Sequence, residues 1–291
     1  MKSEVYVTAT QDPYKGTCEA LDAIGFKKTN RKVFIKPNLT GALPSQHGLT
    51  VDTGIVRAVL ERLVDCPVIT IGESCGDTNR AFDLLGYGDL LRTFPNVKLL
   101  DMRNSNIVWK KIPRPYHTRH MPFAAEIFDH DYVINIAKLK THSLAHVTLC
   151  MKNIFGFVPT RKQKLMYHPF IKTAVLDMNQ IVRSDFCIVD AVWGNEFDEI
   201  QSAPVNIGAI VAGGDMLAVD TVAASLMGIE AESIESYRLA RDLFGCGDAD
   251  VRGCDPEHLR KLFKRGCLPS TRLRYIKEAM QSLCYRAMNR H

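Results

Sequence analysis

Short apolar runs alternate along this chain with stretches in which apolar residues recur every three or four positions. Residues 31–39, 68–72, 97–100, 107–112, 131–137, 186–192 and 205–212 have the length and composition of strands, and most of them end in a polar or glycine-rich turn. Between them, residues 53–64 place Ile55, Val56, Val59, Leu60 and Leu63 at helical spacing, and residues 216–227 do the same after Gly213 and Gly214. Residues 82–91 are helical in pattern but interrupted by Gly86 and Gly88. Strands alternating with helices predict an α/β fold: a mostly parallel sheet flanked by helices, in one body or two intimate lobes. Such sheets take ligands beyond the carboxyl ends of their strands. The polar residues that follow the apolar runs are therefore the first candidates: Lys36 and Asn38, Glu73 and Ser74, Lys138 to His142, Asp190 and Asp215.

The pattern changes near the end. From residue 259 the chain reads as two basic amphipathic helices separated by Gly266 and Pro269. This divides the chain into an α/β domain over residues 1–256 and a helical appendage over 257–291. The appendage presents either a solvated basic face or a surface for an acidic partner or lipid.

Composition narrows the classes. With 46% apolar and 24% charged residues in 291, the chain has the balance of a globular protein. A net charge of +5 suits an anionic ligand, while the dense basic stripe of a nucleic-acid binder is missing. Residues 1–7 show no apolar leader, and no run approaches the roughly 18 apolar residues of a membrane span. The nine cysteines form no Cys-x-x-Cys pair, so zinc ribbons, thioredoxin motifs and ferredoxin-type clusters are not expected. They read as free thiols of a reducing, cytoplasmic setting. Cys246, Cys254 and Cys267 are grouped, at a spacing that matches no metal site. Nothing in the sequence specifies an oligomeric state.

Four patterns carry chemistry. Gly-Glu-Ser-Cys-Gly over residues 72–76 matches the serine-hydrolase elbow with Ser74 as nucleophile, although the Asp-Thr-Asn that follows favours a longer loop with a helix capped near Asn79. No dinucleotide or Walker fingerprint is present. Asp215 reads as the N-cap of the helix after Gly213-Gly214, with the helix amides there as an alternative anion site, and Asp220, set among apolar residues, reads as a structural anchor or a site acid. The densest grouping is Lys138, Lys140, His142, His146, Lys152, Asn153, Gly156, Arg161 and His168. If residues 142–146 are helical, His142 and His146 share a face and could ligate a metal with His168; Val147, Leu149 and Met151 alternate instead like a strand. A cationic pocket fits better, because ammonium, guanidinium and imidazole groups all donate to carboxylate or phosphate oxygens. A solvated basic loop is the plain alternative.

At this point the sequence resembles the family known as domain of unknown function 362. The matching strings are Val-Phe-Ile-Lys-Pro-Asn-Leu at 33–39, Ile-Gly-Glu-Ser at 71–74, Val-Ile-Asn-Ile-Ala-Lys-Leu-Lys-Thr-His at 133–142, Met-Lys-Asn-Ile-Phe-Gly at 151–156 with Arg161 and His168, Ile-Val-Asp-Ala at 188–191, and Val-Ala-Gly-Gly-Asp-Met-Leu-Ala-Val-Asp at 211–220. Together they span about residues 30–228. The resemblance implies an α/β domain and marks Lys36, Asn38, Lys140, His142, Lys152, Asn153, His168, Asp190, Asp215 and Asp220 as motif positions. Many members carry a ferredoxin-like module; this chain has no clustered cysteines to match it, so iron–sulfur chemistry is not implied. The glycine- and proline-rich stretch of the family is also altered here to Trp-Gly-Asn-Glu-Phe-Asp-Glu-Ile-Gln at 193–201, which points to a different substrate choice.

The resulting expectation is a cytoplasmic enzyme of a small anionic, carboxylate- or phosphate-bearing metabolite, in a biosynthetic pathway. Lys36, Asn38, Ser74, Lys152, Asn153, Arg161, Asp190, Asp215 and Asp220 would bind it. His142, His168 and Lys140 would move protons in an isomerisation, elimination or cyclisation. The alternatives are a metal-dependent or redox enzyme using His142, His146 and His168, a serine hydrolase at Ser74, and a non-catalytic binding module.

Overall fold

The computed structural model describes residues 2–26, 30–245, 247–266 and 269–288. In chain order the elements are β1 (Ser3–Ala9), α1 (Pro13–Ala23), β2 (Val33–Pro37), α2 (Thr53–Glu61), β3 (Ile69–Glu73), α3 (Thr78–Leu84), α4 (Tyr87–Thr93), β4 (Val97–Asp101), β5 (Ile107–Lys111), β6 (His120–Ala124), β7 (Tyr132–His142), β8 (His146–Thr148), α5 (Cys150–Asn153), α6 (Arg161–Tyr167), α7 (Ile171–Asn179), β9 (Phe186–Asn195), β10 (Pro204–Gly213), α8 (Met216–Leu226), α9 (Glu235–Phe244), β11 (Ala249–Gly253) and α10 (Pro269–Met288).

Nine strands form one sheet in the order β11-β1-β10-β9-β7-β2-β3-β4, with β8 hairpinned onto β7, and β5 pairs β6 in a separate two-stranded ribbon. Strands β9, β7, β2, β3 and β4 run parallel, β10 is antiparallel to both β1 and β9, and β11 is parallel to β1. The fold is therefore the α/β class, a mostly parallel sheet flanked by helices. Alternate residues of each strand face opposite sides, and the sheet divides the core accordingly. Val33, Ile35, Ile134, Ile136, Ile188 and Ile210 pack under α1 to α4. Phe34, Ala137, Leu139, Val189 and Val211 pack under α5 to α9. The two apolar clusters are the two faces of one sheet and not two lobes.

The expected strands and helices are present with shifted ends. Gly86, at φ 78°, separates α3 from α4, and the α3 cap is Asp77, whose side chain accepts from the Arg80 amide, not Asn79. Two expectations change more. Strand β7 does not stop at Ala137 but continues through Lys138 and Lys140 to His142, where Lys140 faces Thr148 and His142 faces His146 across the β7–β8 hairpin. The histidine pair is thus on a hairpin and not on a helix, and His146 takes the positive φ of 69° there. Residues 259–265 are not helical either. The Lys261 and Phe263 amides donate to the Leu226 and Met227 carbonyls at the end of α8, and Phe263 is buried against Gly194. An extended segment satisfies those orphan helix carbonyls, which a helix could not. Only α10 remains of the two basic helices, and it packs on α6. No helix among the described residues is long and apolar enough to cross a membrane. Cys254 is a free thiol, as are Cys18, Cys66, Cys75, Cys150 and Cys187; Cys246 and Cys267 lie outside the described residues.

Candidate functional site

Parallel strands β2, β3, β7 and β9 deliver their carboxyl ends to one edge of the sheet, and that edge is lined with lysines. Lys36, at the end of β2, donates to Glu73 Oε2 at 2.8 Å and to the Pro37 carbonyl at 2.7 Å. Gly156 lies so close that a Cβ there would meet Lys36 Cε at 2.5 Å, so a larger residue would push the lysine out of its place beside Glu73. Along β7, Lys138, Lys140 and His142 share one face by the two-residue period. Lys138 is fully buried and paired with Asp190 at 2.8 Å, whose carboxylate also accepts from the Asp52 and Val192 amides. Asp190 is thus already saturated by the fold.

Lys140 differs from both. It is buried, donates to Thr40 Oγ1 at 2.6 Å and the Leu49 carbonyl at 3.1 Å, and among the described residues touches no carboxylate, although Glu199 and Glu73 act on it at longer range. Desolvation first, then the neighbouring Lys152 charge, bring its pKa down to about 7. Lys152, on α5, has no hydrogen bond or ion pair among the described residues; its ammonium lies 6.0 Å from the Phe155 ring centre, and desolvation lowers its pKa. Asn153 ties the edge together: its amide nitrogen donates to the Lys36 carbonyl and Asn135 Oδ1, and its oxygen accepts from Asn38.

His142 is held by the turn that follows it. The Leu144 and Ala145 amides both donate to Nδ1, at 3.1 and 3.2 Å. The proton of the neutral ring is therefore on Nε2, a buried atom with no partner among the described residues. Burial, followed by the charges of Lys152, His168 and Lys140, holds the imidazole pKa well below its usual value, so the ring is neutral. His168, after α6, lies 5.7 Å from the His142 ring and stacks on Tyr275 of α10 at 5.3 Å, with Nδ1 3.5 Å from Glu278 Oε2. The basic appendage thus closes over the site.

Three further groups surround these residues. Glu199 accepts from the Ser143 amide and hydroxyl and lies 3.4 Å from His142 Nδ1; its Oε1 is buried without a hydrogen-bond partner among the described residues. Asn195 shapes that loop by donating to the Asp198 and Gln201 carbonyls. Lys164 of α6 donates to the Ser74 hydroxyl at 2.7 Å and its carbonyl at 2.6 Å, and burial brings its pKa down to about 8. A groove of about 510 Å³ between Ser143-Leu144 and α10, lined by Arg272, Tyr275, Ile276 and Ala279, reaches this cluster through Ser143, which donates to Glu199, and Tyr275, which stacks on His168.

Some expected residues stand elsewhere. The Ser74 hydroxyl donates to the Gly156 carbonyl and accepts from Lys164, and α3 starts only at Thr78, so the strand–serine–helix elbow with a histidine base is not formed. Asp215 caps α8 through the Ala218 amide; Gly213 pairs with Cys187 at the start of β9, which puts Asp215 at the opposite end of the sheet. Fully buried Asp220 accepts from the Cys150 and Met151 amides at 2.7 and 2.8 Å and from the Tyr237 hydroxyl, and so anchors the start of α5. Arg161 is exposed at the first position of α6. His146 stands opposite His142 across the hairpin and its charge acts on that ring, but it is not in the cluster whose ligand atoms converge. The three groups that bring metal-ligand atoms within 4.8 Å of one another are instead His142, His168 and Glu199. The Lys140 and Lys152 charges act on the same His142 ring, and the Leu144 and Ala145 amides keep its proton on Nε2. Glu199, Lys164, Tyr275 and Glu278 were missed by the sequence reading. For Glu199 one signal existed, its place in the stretch 193–201 that departs from the family pattern.

Comparisons agree with the motif reading. The thylakoid-associated protein sll1697 of Synechocystis sp. is 25% identical over 228 residues, covering 74% of this chain and 69% of that protein. Among solved structures, the lactate racemase apoprotein of Thermoanaerobacterium thermosaccharolyticum aligns at a TM-score of 0.49 with 12% identity, over 79% of this chain and 58% of that one. A Thermotoga maritima protein aligns at 0.40 with 13% identity, over 84% of this chain and 60% of its own. A family model described as domain of unknown function (DUF362) matches residues 33–225. By that match across most of the sheet and its lysine-lined edge, the chain belongs to the DUF362 family.

Proposed function

We propose that the protein is an enzyme that binds a small carboxylate- or phosphate-bearing metabolite against Lys140 and Lys152 and transforms it by acid–base chemistry, as in an isomerisation, elimination or cyclisation of a biosynthetic pathway. One observation carries this reading: two desolvated ammonium groups, with no carboxylate in contact among the described residues and Glu199 and Glu73 acting on them only at longer range, stand beside a neutral imidazole whose Nε2–H has no partner there. A buried unpaired charge costs several kcal/mol, and an anionic ligand would offset that cost. Lys140, with a pKa of about 7, is poised to give or take a proton at neutral pH. His142 donates through Nε2 to a developing oxyanion, and His168 is the second proton carrier. Lys36, Asn38 and Asn153 hold the frame around them. The free thiols support a reducing, cytoplasmic setting.

Native mass spectrometry of untagged protein identifies the co-purifying anion, and turnover of that compound is then measured. His142→Gln and His168→Gln, made separately, are expected to lower kcat by about 10²- to 10⁴-fold with the fold intact. Unchanged turnover in both variants would overturn the assignment. The one competing reading with an observation behind it is a metal centre at His142, His168 and Glu199. Stoichiometric metal in the purified protein, lost in Glu199→Gln, would favour it over the anion pocket.

A further inference from the structure

Helix α10 has two faces. Thr271, Tyr275 and Glu278 point inward, where Thr271 donates to Asp198 and the other two meet His168. On the opposite side Leu273, Ile276 and Met280 are 61%, 52% and 62% exposed, at the spacing of one helical stripe. Few large apolar side chains of the described residues are as exposed, and no other helix gathers three of them. Arg272 and Lys277, both exposed, flank this stripe on its two sides at 100° per residue. Helix α10 has 20 residues, yet Arg272, Lys277 and Glu278 in its first half exclude a spanning role.

We propose that the outer face of α10 docks the protein on an anionic lipid surface, with Leu273, Ile276 and Met280 entering the headgroup boundary and Arg272 and Lys277 resting on lipid phosphates. An apolar stripe bordered by basic residues is the pattern of an interfacial helix, and its charge selects anionic over neutral lipid. The groove lined by Arg272, Tyr275, Ile276 and Ala279 runs along the same helix, so docking sets the mouth of the pocket at the lipid surface.

Flotation of the full chain with phosphatidylcholine vesicles, with and without phosphatidylglycerol, tests this. The protein is expected to float with the anionic vesicles alone and to be released by salt. Neutralising Arg272→Gln or Lys277→Gln is expected to weaken partition about fivefold each. The double variant Leu273→Glu/Ile276→Glu should abolish it, while circular dichroism and Tm stay unchanged because these side chains are exposed. Failure of the parent chain to float, or flotation indifferent to the double variant, would overturn the proposal. So would a dimer seen by light scattering that the double variant dissociates without any vesicle binding, since the face would then belong to a second copy.

Discussion

Asp220 shows how one residue can matter to the pocket without lining it. Its carboxylate is fully buried, and desolvation raises its pKa to about 6 against the three hydrogen bonds that favour ionisation. Those bonds fix the start of α5 and thereby Lys152 and Asn153. Asp220→Asn puts an NH₂ where an acceptor is needed, so we expect a loss of about 1–3 kcal/mol, read as a lower Tm, together with a raised KM and a nearly unchanged kcat. A collapse of kcat at full stability would make Asp220 a site acid instead. The sequence admitted both roles, because an acid among apolar residues must be satisfied somehow but its partners are distant in the chain. Lys36, Asn38, Lys140 and His142 were singled out as polar residues after apolar runs, and Lys152, Asn153 and His168 as members of the densest basic grouping. Lys138 and Asp190 were equally visible, yet pair with one another inside the sheet. Lys164 and Tyr275 gave no signal, since each looks like an ordinary surface residue of an amphipathic helix.

At the scale of elements, periodicity identified the central strands and α2 and α8, where burial on both faces or one leaves a plain apolar pattern. It failed where tertiary partners make a polar residue tolerable in a core position. Lys138 and Lys140 ended the expected strand at Ala137, although both are buried within β7. The basic pattern at 259–265 suggested a helix, but backbone donors there are needed by the end of α8. Helix α10 was expected as an appendage and is also the cover of His168. Ending the chain after Gly266 removes Tyr275, Glu278 and the Thr271–Asp198 bond while leaving every strand of the sheet in place. That truncated protein is expected to keep a cooperative melt and its strand signal in circular dichroism, and to bind the native ligand at least tenfold more weakly because water reaches the pocket. Unaltered affinity, by calorimetry, would reduce α10 to a surface feature.

For the whole molecule, the buried lysines set how stability varies with pH. Lys140 and Lys164 have folded pKa values of about 7 and about 8, below the 10.5 of the unfolded chain. Between those values the unfolded state binds more protons than the folded one, so stability rises with pH. The penalty of the buried charges is fully present below pH 7 and is relieved progressively above it. Asp220 acts lower down and in the opposite sense: its folded pKa of about 6 exceeds 3.8, so the stability it lends to the folded state is lost as pH rises from about 4 to 6. The rise due to the lysines runs on toward 10.5, but from about pH 9 Cys75, raised to about 11, opposes it, because the folded state then holds a proton that the unfolded thiol has lost. Ligand-free protein should therefore be more stable at pH 8.5 than at pH 6.5 by an amount on the order of 1–3 kcal/mol, read as a higher Tm. Lys140→Met should raise the Tm at pH 6.5 and flatten the profile, since it removes a buried charge that touches no carboxylate among the described residues. An anion bound at Lys140 should flatten it as well, by holding the ammonium charged in the folded state. Scanning calorimetry from pH 6 to 9, on the parent chain, on Lys140→Met and on the ligand complex, distinguishes these cases. A parent profile that falls with pH over this range would mean that Lys140 is already neutralised by a partner, and with it the argument for an anion at this site would fail.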